Sequence, residues 1–230
     1  MRLPPQPAVP RGRIPTVMRR LALAIDGLEE LAIEKIAKEQ QEDPFQVLIG
    51  TMLSAQTKDA VTSAASARLF AVARTPRTML KLSPAEIERL IYPVSFYRNK
   101  AVHVLRTCEQ LMTRYRGKVP TTMEELLTLP GVGRKTANLV LILAHRSVDN
   151  ICVDTHVHRI SNRLGWVATR TPDETEQALY LAARRKWWPV LNLYLVTWGQ
   201  NVCRPVYPLC GSCVLVDLCP RIGVTKTGKS

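Results

Sequence analysis

Lys135 follows a tight turn, Leu129-Pro130-Gly131-Val132-Gly133, and opens an apolar run through Ala137, Leu139, Val140, Leu141 and Leu143. The run has helical spacing, so Arg134 and Lys135 fall in a first helical turn. Helix N-termini favour anions and disfavour cations. A lysine held there gives up its charge more readily, and an uncharged lysine amine is a nucleophile. The backbone N–H groups of Gly131 to Arg134 form a candidate anion site at the same place. A nucleic-acid phosphate would fit it and would be gripped without any reading of base sequence.

Asp154 heads the segment "DTHVHRI". Read from the residues alone, its carboxylate is the N-cap of a helix over 155–164. His156 and His158 follow, but positions i and i+2 do not share a helical face. Structural or DNA-backbone roles suit them better than metal binding.

Four of the six cysteines crowd the C-terminal end as Cys203, Cys210, Cys213 and Cys219, in the spacing C-x6-C-x2-C-x5-C. The start, "MRLPPQPAVPRGRIP", has no apolar core and is not a secretory signal, so disulfides explain the cluster poorly. Metal ligation explains it better. Four thiolates at this spacing suit a [4Fe–4S] cluster. Zinc remains an alternative, although zinc ribbons usually pair two C-x2-C knuckles and only one is present.

The elements that position these groups read as helical throughout. Asp43-Pro44, Thr75-Pro76, Ser83-Pro84 and Thr171-Pro172 each place a capping side chain before a proline suited to the first helical position. Ser83 with Glu86, and Thr171 with Glu174, have the spacing of capping boxes. The pattern predicts helices near 17–26, 28–41, 44–54, 58–72, 84–91, 98–115, 122–128, 134–145, 155–164, 172–185 and 189–201. The one strand-like stretch, "NICVD" at 150–154, is short and reads as a linker. Helices 122–128 and 134–145, joined by the turn at 129–133, make a helix–hairpin–helix.

The chain has 230 residues, 46% of them hydrophobic, enough for one large domain or two small ones. Its 32 basic and 19 acidic residues give a net charge of +13. That excess calls for a polyanionic partner, and nucleic acid fits better than a membrane surface. No apolar run is long enough to span a bilayer. An intracellular, nucleoid-associated protein is expected, with a Pro-rich disordered arm at 1–15.

"LPGVGRKTA" at 129–137, "VDTHVHRI" at 153–160 and the four-cysteine cluster together resemble the endonuclease III family, over about residues 44–220. These are helix–hairpin–helix DNA glycosylases with an associated abasic-site lyase activity. The resemblance implies an all-α fold of two helical domains flanking a DNA-binding cleft. A six-helix hairpin domain would span 42–149, and a cluster domain would join 16–41 to 150–220, with a basic tail at 221–230. Lys135 would be the nucleophile and Asp154 its catalytic partner, facing each other across that cleft.

The chemistry explains the residue types. A lysine amine can attack C1′ of deoxyribose and form a Schiff base, which permits β-elimination; water cannot. Free lysine has a pKa of about 10.4, so the amine must be discharged. Burial, the helix N-terminus and Arg134 would all contribute.

The resemblance also implies a [4Fe–4S] cluster on the four cysteines. It maps Gln56, in "LSAQTKD", to a glutamine that fills the space left by a flipped base. It maps Phe96, in "SFYRNKA", to an apolar wedge between bases, where leucine is common. The competing readings are plain core packing for Phe96 and a solvated loop amide for Gln56. One departure stands out. Relatives often carry several Lys or Arg between the first two cysteines, whereas "RPVYPL" supplies only Arg204. That phosphate contact would then be weaker, or moved to Lys226 and Lys229.

The expected activity is removal of oxidised or ring-saturated pyrimidines from duplex DNA carrying damaged bases or abasic sites, by a monomer. Two alternatives compete, the second from another class. One is a monofunctional mismatch or adenine glycosylase, which Lys135 argues against. The other is a non-catalytic DNA-binding or redox-sensing iron–sulfur protein, which leaves the Lys135/Asp154 pair unexplained.

Overall fold

The computed structural model describes residues 13–28, 31–39 and 43–228. Every regular element among them is helical. In chain order they are α1 (Arg13–Ala24), α2 (Ala32–Glu39), α3 (Pro44–Ser54), α4 (Asp59–Val72), α5 (Pro76–Met79) and α6 (Pro84–Ile91). There follow α7 (Tyr97–Arg114), α8 (Met123–Leu126), α9 (Arg134–Leu143), α10 (Thr155–Arg163), α11 (Pro172–Ala182) and α12 (Trp188–Asn201). A 3-10 turn at Arg185–Trp187 leads into α12.

Cap chemistry sets several starts. Asp43 accepts the Gln46 N–H at 2.9 Å, and Ser83 forms a full capping box with Glu86. Thr171 makes only half of its expected box. Its side chain accepts the Glu174 N–H, but the Glu174 carboxylate bonds the Arg170 N–H at 2.8 Å instead. The four-residue α5 was not among the expected helices. It is too short to show periodicity, and only its cap, Thr75 boxed with Thr78, marks it.

The chain divides into two compact units, Glu30–Ser147 and Met1–Glu29 with Val148–Ser230. In the first, α3 is the hub. Every residue from Phe45 to Leu53 is buried, as expected of a helix apolar on all sides, and α2, α4, α7 and α9 pack around it. Of the expected 16–41 grouping with the C-terminal region, α1 falls in the unit of that region, whereas α2 falls in the other unit. α2 packs on α3 and α4, buries Ala32 and Ala37, and sets the Ala32 N–H 3.3 Å from Asp59 Oδ2. Residues 13–15 of the expected arm open α1, with Ile14 buried. The rest of the arm, and Lys229, lie outside the described residues.

In the second unit α12 packs against α1 and α10. Segment 150–153 is an extended linker rather than a strand. It is pinned by Tyr180 Oη, which accepts the Ile151 N–H at 3.1 Å, and by Asn192 Nδ2, which donates to the Cys152 carbonyl at 3.2 Å. Cys108 and Cys152 are wholly buried, and burial pushes the Cys108 thiol up to about 12. It is a core side chain, not a nucleophile.

Candidate active site and nucleic-acid interface

The hairpin turn has a definite geometry. Pro130 and Gly131 occupy its corners, Gly131 has φ 77°, and the Val132 N–H donates to the Leu129 carbonyl at 3.1 Å. This is a type II turn, in which the third residue must take a positive φ. The Val132 amide is therefore already engaged, which removes it from the expected anion site.

Gly133 differs from Gly131. It is the N-cap of α9 with φ −102° and ψ 180°, extended backbone open to any residue, and a Cβ there would meet nothing within 4 Å. Of the two hairpin glycines, the fold needs only Gly131 as glycine. Arg134 and Lys135 are the first two residues of α9, as the sequence predicts.

The expected burial of Lys135 does not hold. Its side chain is exposed, because close packing of α9 begins one residue later, at Thr136. Removal of water from the amine must come from a bound partner rather than from the folded chain alone.

Gln56 and Phe96 come together in the same unit. Both adopt left-handed backbone, with φ 55° and 56°, and both are exposed, Phe96 by 64%. Core packing is thereby overturned for Phe96. The two side chains line one cavity with Met52, Ala55, Asn99, Lys100, His103 and Gly131. Non-glycine residues in this conformation store strain of order 1–3 kcal/mol, and such residues cluster at functional sites.

One face of α7 braces these turns. Lys100, only 8% exposed, donates from Nζ to the carbonyls of Leu53 at 2.8 Å and Ala55 at 2.6 Å, and to Thr57 Oγ1 at 3.3 Å. His103, three residues on, packs directly against Gly131. Thr107, four further, donates to the Pro130 carbonyl at 2.9 Å. Spacings of three and four keep all three on one side of the helix. Sequence reasoning missed this brace. Its signal was a lysine in step with the buried Val104, Cys108 and Leu111 of α7. Burial pushes Lys100 down to about 8, and its two carbonyl acceptors work the other way, favouring the ammonium.

In the other unit Asp154 is the N-cap of α10, as its residue-level reading holds. Its Oδ1 accepts the N–H groups of His156 at 2.8 Å and Val157 at 2.9 Å, so the carboxylate has a fixed orientation. The two histidines have structural partners. His156 Nδ1 lies 3.1 Å from Arg159, and its ring occupies the space that a Cβ on Gly199 would need. His158 Nδ1 lies 2.6 Å from Thr175 Oγ1.

Cys203, Cys210, Cys213 and Cys219 line one cavity. Arg163 fixes its first wall, donating to the carbonyls of Arg204 at 2.7 Å and Pro205 at 2.8 Å, and to Cys203 Sγ at 3.4 Å. Arg20 of α1 holds the other side through Asp217 and the Val214 carbonyl. Burial pushes the Cys213 and Cys219 thiols up, the wrong direction for free thiolates but one that a bound metal centre reverses. The Leu215 N–H points at Cys213 Sγ at 3.4 Å. The donor set, all sulfur with N–H groups aimed at sulfur, fits an iron–sulfur group. Lys226 lines a second cavity beside Pro205, Val206 and Tyr207 of the same loop.

Known proteins resemble the chain in sequence and in fold. Residues 49–184 match the family described as HhH-GPD superfamily base excision DNA repair protein. The chain is 46% identical over 196 residues to endonuclease III of Thermotoga maritima, covering 84% of this chain and 92% of that one. It is 48% identical over 178 residues to endonuclease III-like protein 1 of Gallus gallus, covering 76% of this chain and 63% of the longer relative. Among solved structures, a trapped endonuclease III–DNA covalent intermediate superimposes with a TM-score of 0.81 at 33% identity, covering 93% of this chain and 97% of that one. A thermostable thymine-DNA glycosylase, at 20% identity and TM-score 0.69, covering 90% of this chain and 98% of that one, shares the fold. The chain belongs to the endonuclease III family, within the HhH-GPD superfamily of base excision DNA repair proteins.

Proposed function

We propose that this protein is a DNA glycosylase and abasic-site lyase that removes oxidised or ring-saturated pyrimidines from duplex DNA and nicks the strand by β-elimination. The observation that carries the reading is the position of Lys135, second residue of α9, directly after the Leu129–Gly133 turn. Phosphate held at the turn would bring the deoxyribose to the amine. The lone pair of the Lys135 amine forms a bond to C1′ as the bond from C1′ to the base breaks, and the base departs with a proton. Opening of the sugar ring leaves a Schiff base. Loss of a C2′ proton then expels the 3′ phosphate.

Asp154 suits the accompanying electrostatics. One of its oxygens is committed to capping α10, which orients the carboxylate to stabilise positive charge developing on the sugar and to assist proton transfer. Gln56 and Phe96 would enter the duplex, one filling the vacated space and the other wedging between bases.

The four cysteines would hold a [4Fe–4S] cluster. The group would supply a structural crosslink rather than a reaction step. It would fix a loop whose phosphate contacts come from Arg204 and Lys226. No helix among the described residues is long and apolar enough to cross a membrane. A monomer acting on duplex DNA near the nucleoid completes the proposal.

Borohydride reduction on abasic duplex tests it. Wild-type protein forms a covalent adduct, and Lys135→Gln forms none while retaining its fold and duplex binding. An undiminished adduct in that variant would falsify the assignment.

A further inference from the structure

Gln56 and Phe96 stand on separate segments, before α4 and α7, yet their turns are tied together through two side chains. Thr57 Oγ1 accepts the Ser95 N–H at 3.2 Å and the Lys100 Nζ donor at 3.3 Å. Lys100 also binds the carbonyls of Leu53 and Ala55, the last residues before Gln56. Those carbonyls end α3 and have no further helical turn to accept from. An ammonium has three N–H donors, and three acceptors surround this one. The result is a closed bracket of α3 end, Gln56 turn, Ser95–Phe96 turn and first turn of α7.

We propose that Lys100, with Thr57, is a positioning residue for opening the duplex: it fixes the left-handed turns at Gln56 and Phe96 at one spacing, so that both side chains enter the stack together.

The physical case rests on strain and rigidity. Left-handed backbone at a glutamine and at a phenylalanine persists only when its surroundings hold it, and α7 is the element that does so for both. A charge this buried is retained only where its hydrogen bonds are complete. A surface loop without that anchor would relax toward ordinary backbone. Gln56 and Phe96 would then pay an ordering entropy on each encounter with DNA. The effect falls on opening the stack, not on attack at C1′. Hydrogen bonds to a charged group are the strong ones, so loss of this one should slow opening by roughly ten- to hundredfold.

The proposal rests on the reading of Gln56 and Phe96 as the residues that enter the duplex, and the experiment separates the two ideas. Lys100→Met keeps length and removes every donor. Thr57→Val keeps shape and removes the hydroxyl, and serves if Lys100→Met fails to fold. Each is assayed by single-turnover excision from a lesion duplex and by borohydride trapping on a single-stranded abasic oligonucleotide, which has no stack to open.

The expected result is slow excision from duplex, near-normal trapping on the single strand, and no further loss when Gln56→Ala is added. Equal losses on duplex and single strand would make Lys100 a plain structural residue and overturn the proposal. Losses that add fully to those of Gln56→Ala would overturn it as well, since the two would then act independently. If Gln56→Ala and Phe96→Ala both excise at the wild-type rate, the reading of those two residues fails first, and this proposal falls with it.

Discussion

Gly131 and His103 approach closer than any side chain at 131 would allow. A Cβ built on Gly131 would stand 2.8 Å from His103 Nδ1 and 3.0 Å from its Cβ. The hairpin turn is thus seated on α7 through the bare glycine backbone, with φ 77° adding a second requirement for glycine.

Gly131→Ala should therefore destabilise the protein on two counts. Left-handed backbone costs alanine about 1–2 kcal/mol, and displacement of the His103 ring adds to it. The double variant with His103→Ala should recover only the part due to the ring, because the Cβ at 103, 3.0 Å away, remains. Urea unfolding midpoints at constant slope measure both. A Gly131→Ala protein as stable as wild type would mean that the turn is not seated as described.

Asp154 carries a structural and a proposed chemical role on one carboxylate, and two substitutions separate them. Asn caps helices about as well as Asp, so Asp154→Asn should keep stability within a few tenths of a kcal/mol. Asp154→Ala should lose about 1 kcal/mol with the cap. Excision and nicking should fall in both by at least tenfold, because both lack the charge. If Asp154→Asn excises at the wild-type rate, the residue is a cap and nothing more.

Much of this was legible from residue types. Turn glycines, a following lysine, capping side chains before prolines and four clustered cysteines are local signals, and local chemistry dictates them. The burial of Lys100 was not legible. Its carbonyl partners lie at Leu53 and Ala55, more than forty positions away, and only tertiary packing brings them together. The two glycines of the hairpin look equivalent in sequence. They differ because φ at 131 is set by the type II turn, whereas 133 merely precedes a helix. The exposure of Lys135 was also hidden, since an apolar run says where packing is dense but not at which residue it begins.

The cysteine region offers a direct test of its metal. Beyond Asn201 the described chain contains turns but no helix, so little core holds it and metal binding should contribute folding energy. Purified protein should be brown with close to four irons per chain, as a [4Fe–4S] centre requires. Cys213→Ala should be insoluble or markedly less stable. Stoichiometric zinc without iron after anaerobic purification would identify a different centre.

Gly133 gives the cleanest test of the hairpin as a phosphate clamp. Its backbone is extended and its Cβ position is open, so Gly133→Asp introduces no strain. An aspartate there is a better N-cap for α9 than glycine and sits at the favourable end of the helix dipole. Stability should stay level or rise by a few tenths of a kcal/mol. DNA binding should move the other way, because the new carboxylate faces the proposed phosphate. Like charges brought together at an interface are strongly unfavourable, so affinity should drop at least about tenfold.

Intact and lesion duplex should lose affinity alike, since the clamp reads only backbone. In wild type, about five neutralised phosphates would give a slope of log K against log[salt] near −4 to −5. The variant should show a shallower slope as one contact is lost. Fluorescence anisotropy on both duplexes over a salt series, with thermal unfolding alongside, measures all of this. A variant that is more stable yet binds intact duplex as tightly as wild type would move the phosphate contact away from the hairpin. Lys135 would then need another account of how the sugar reaches it.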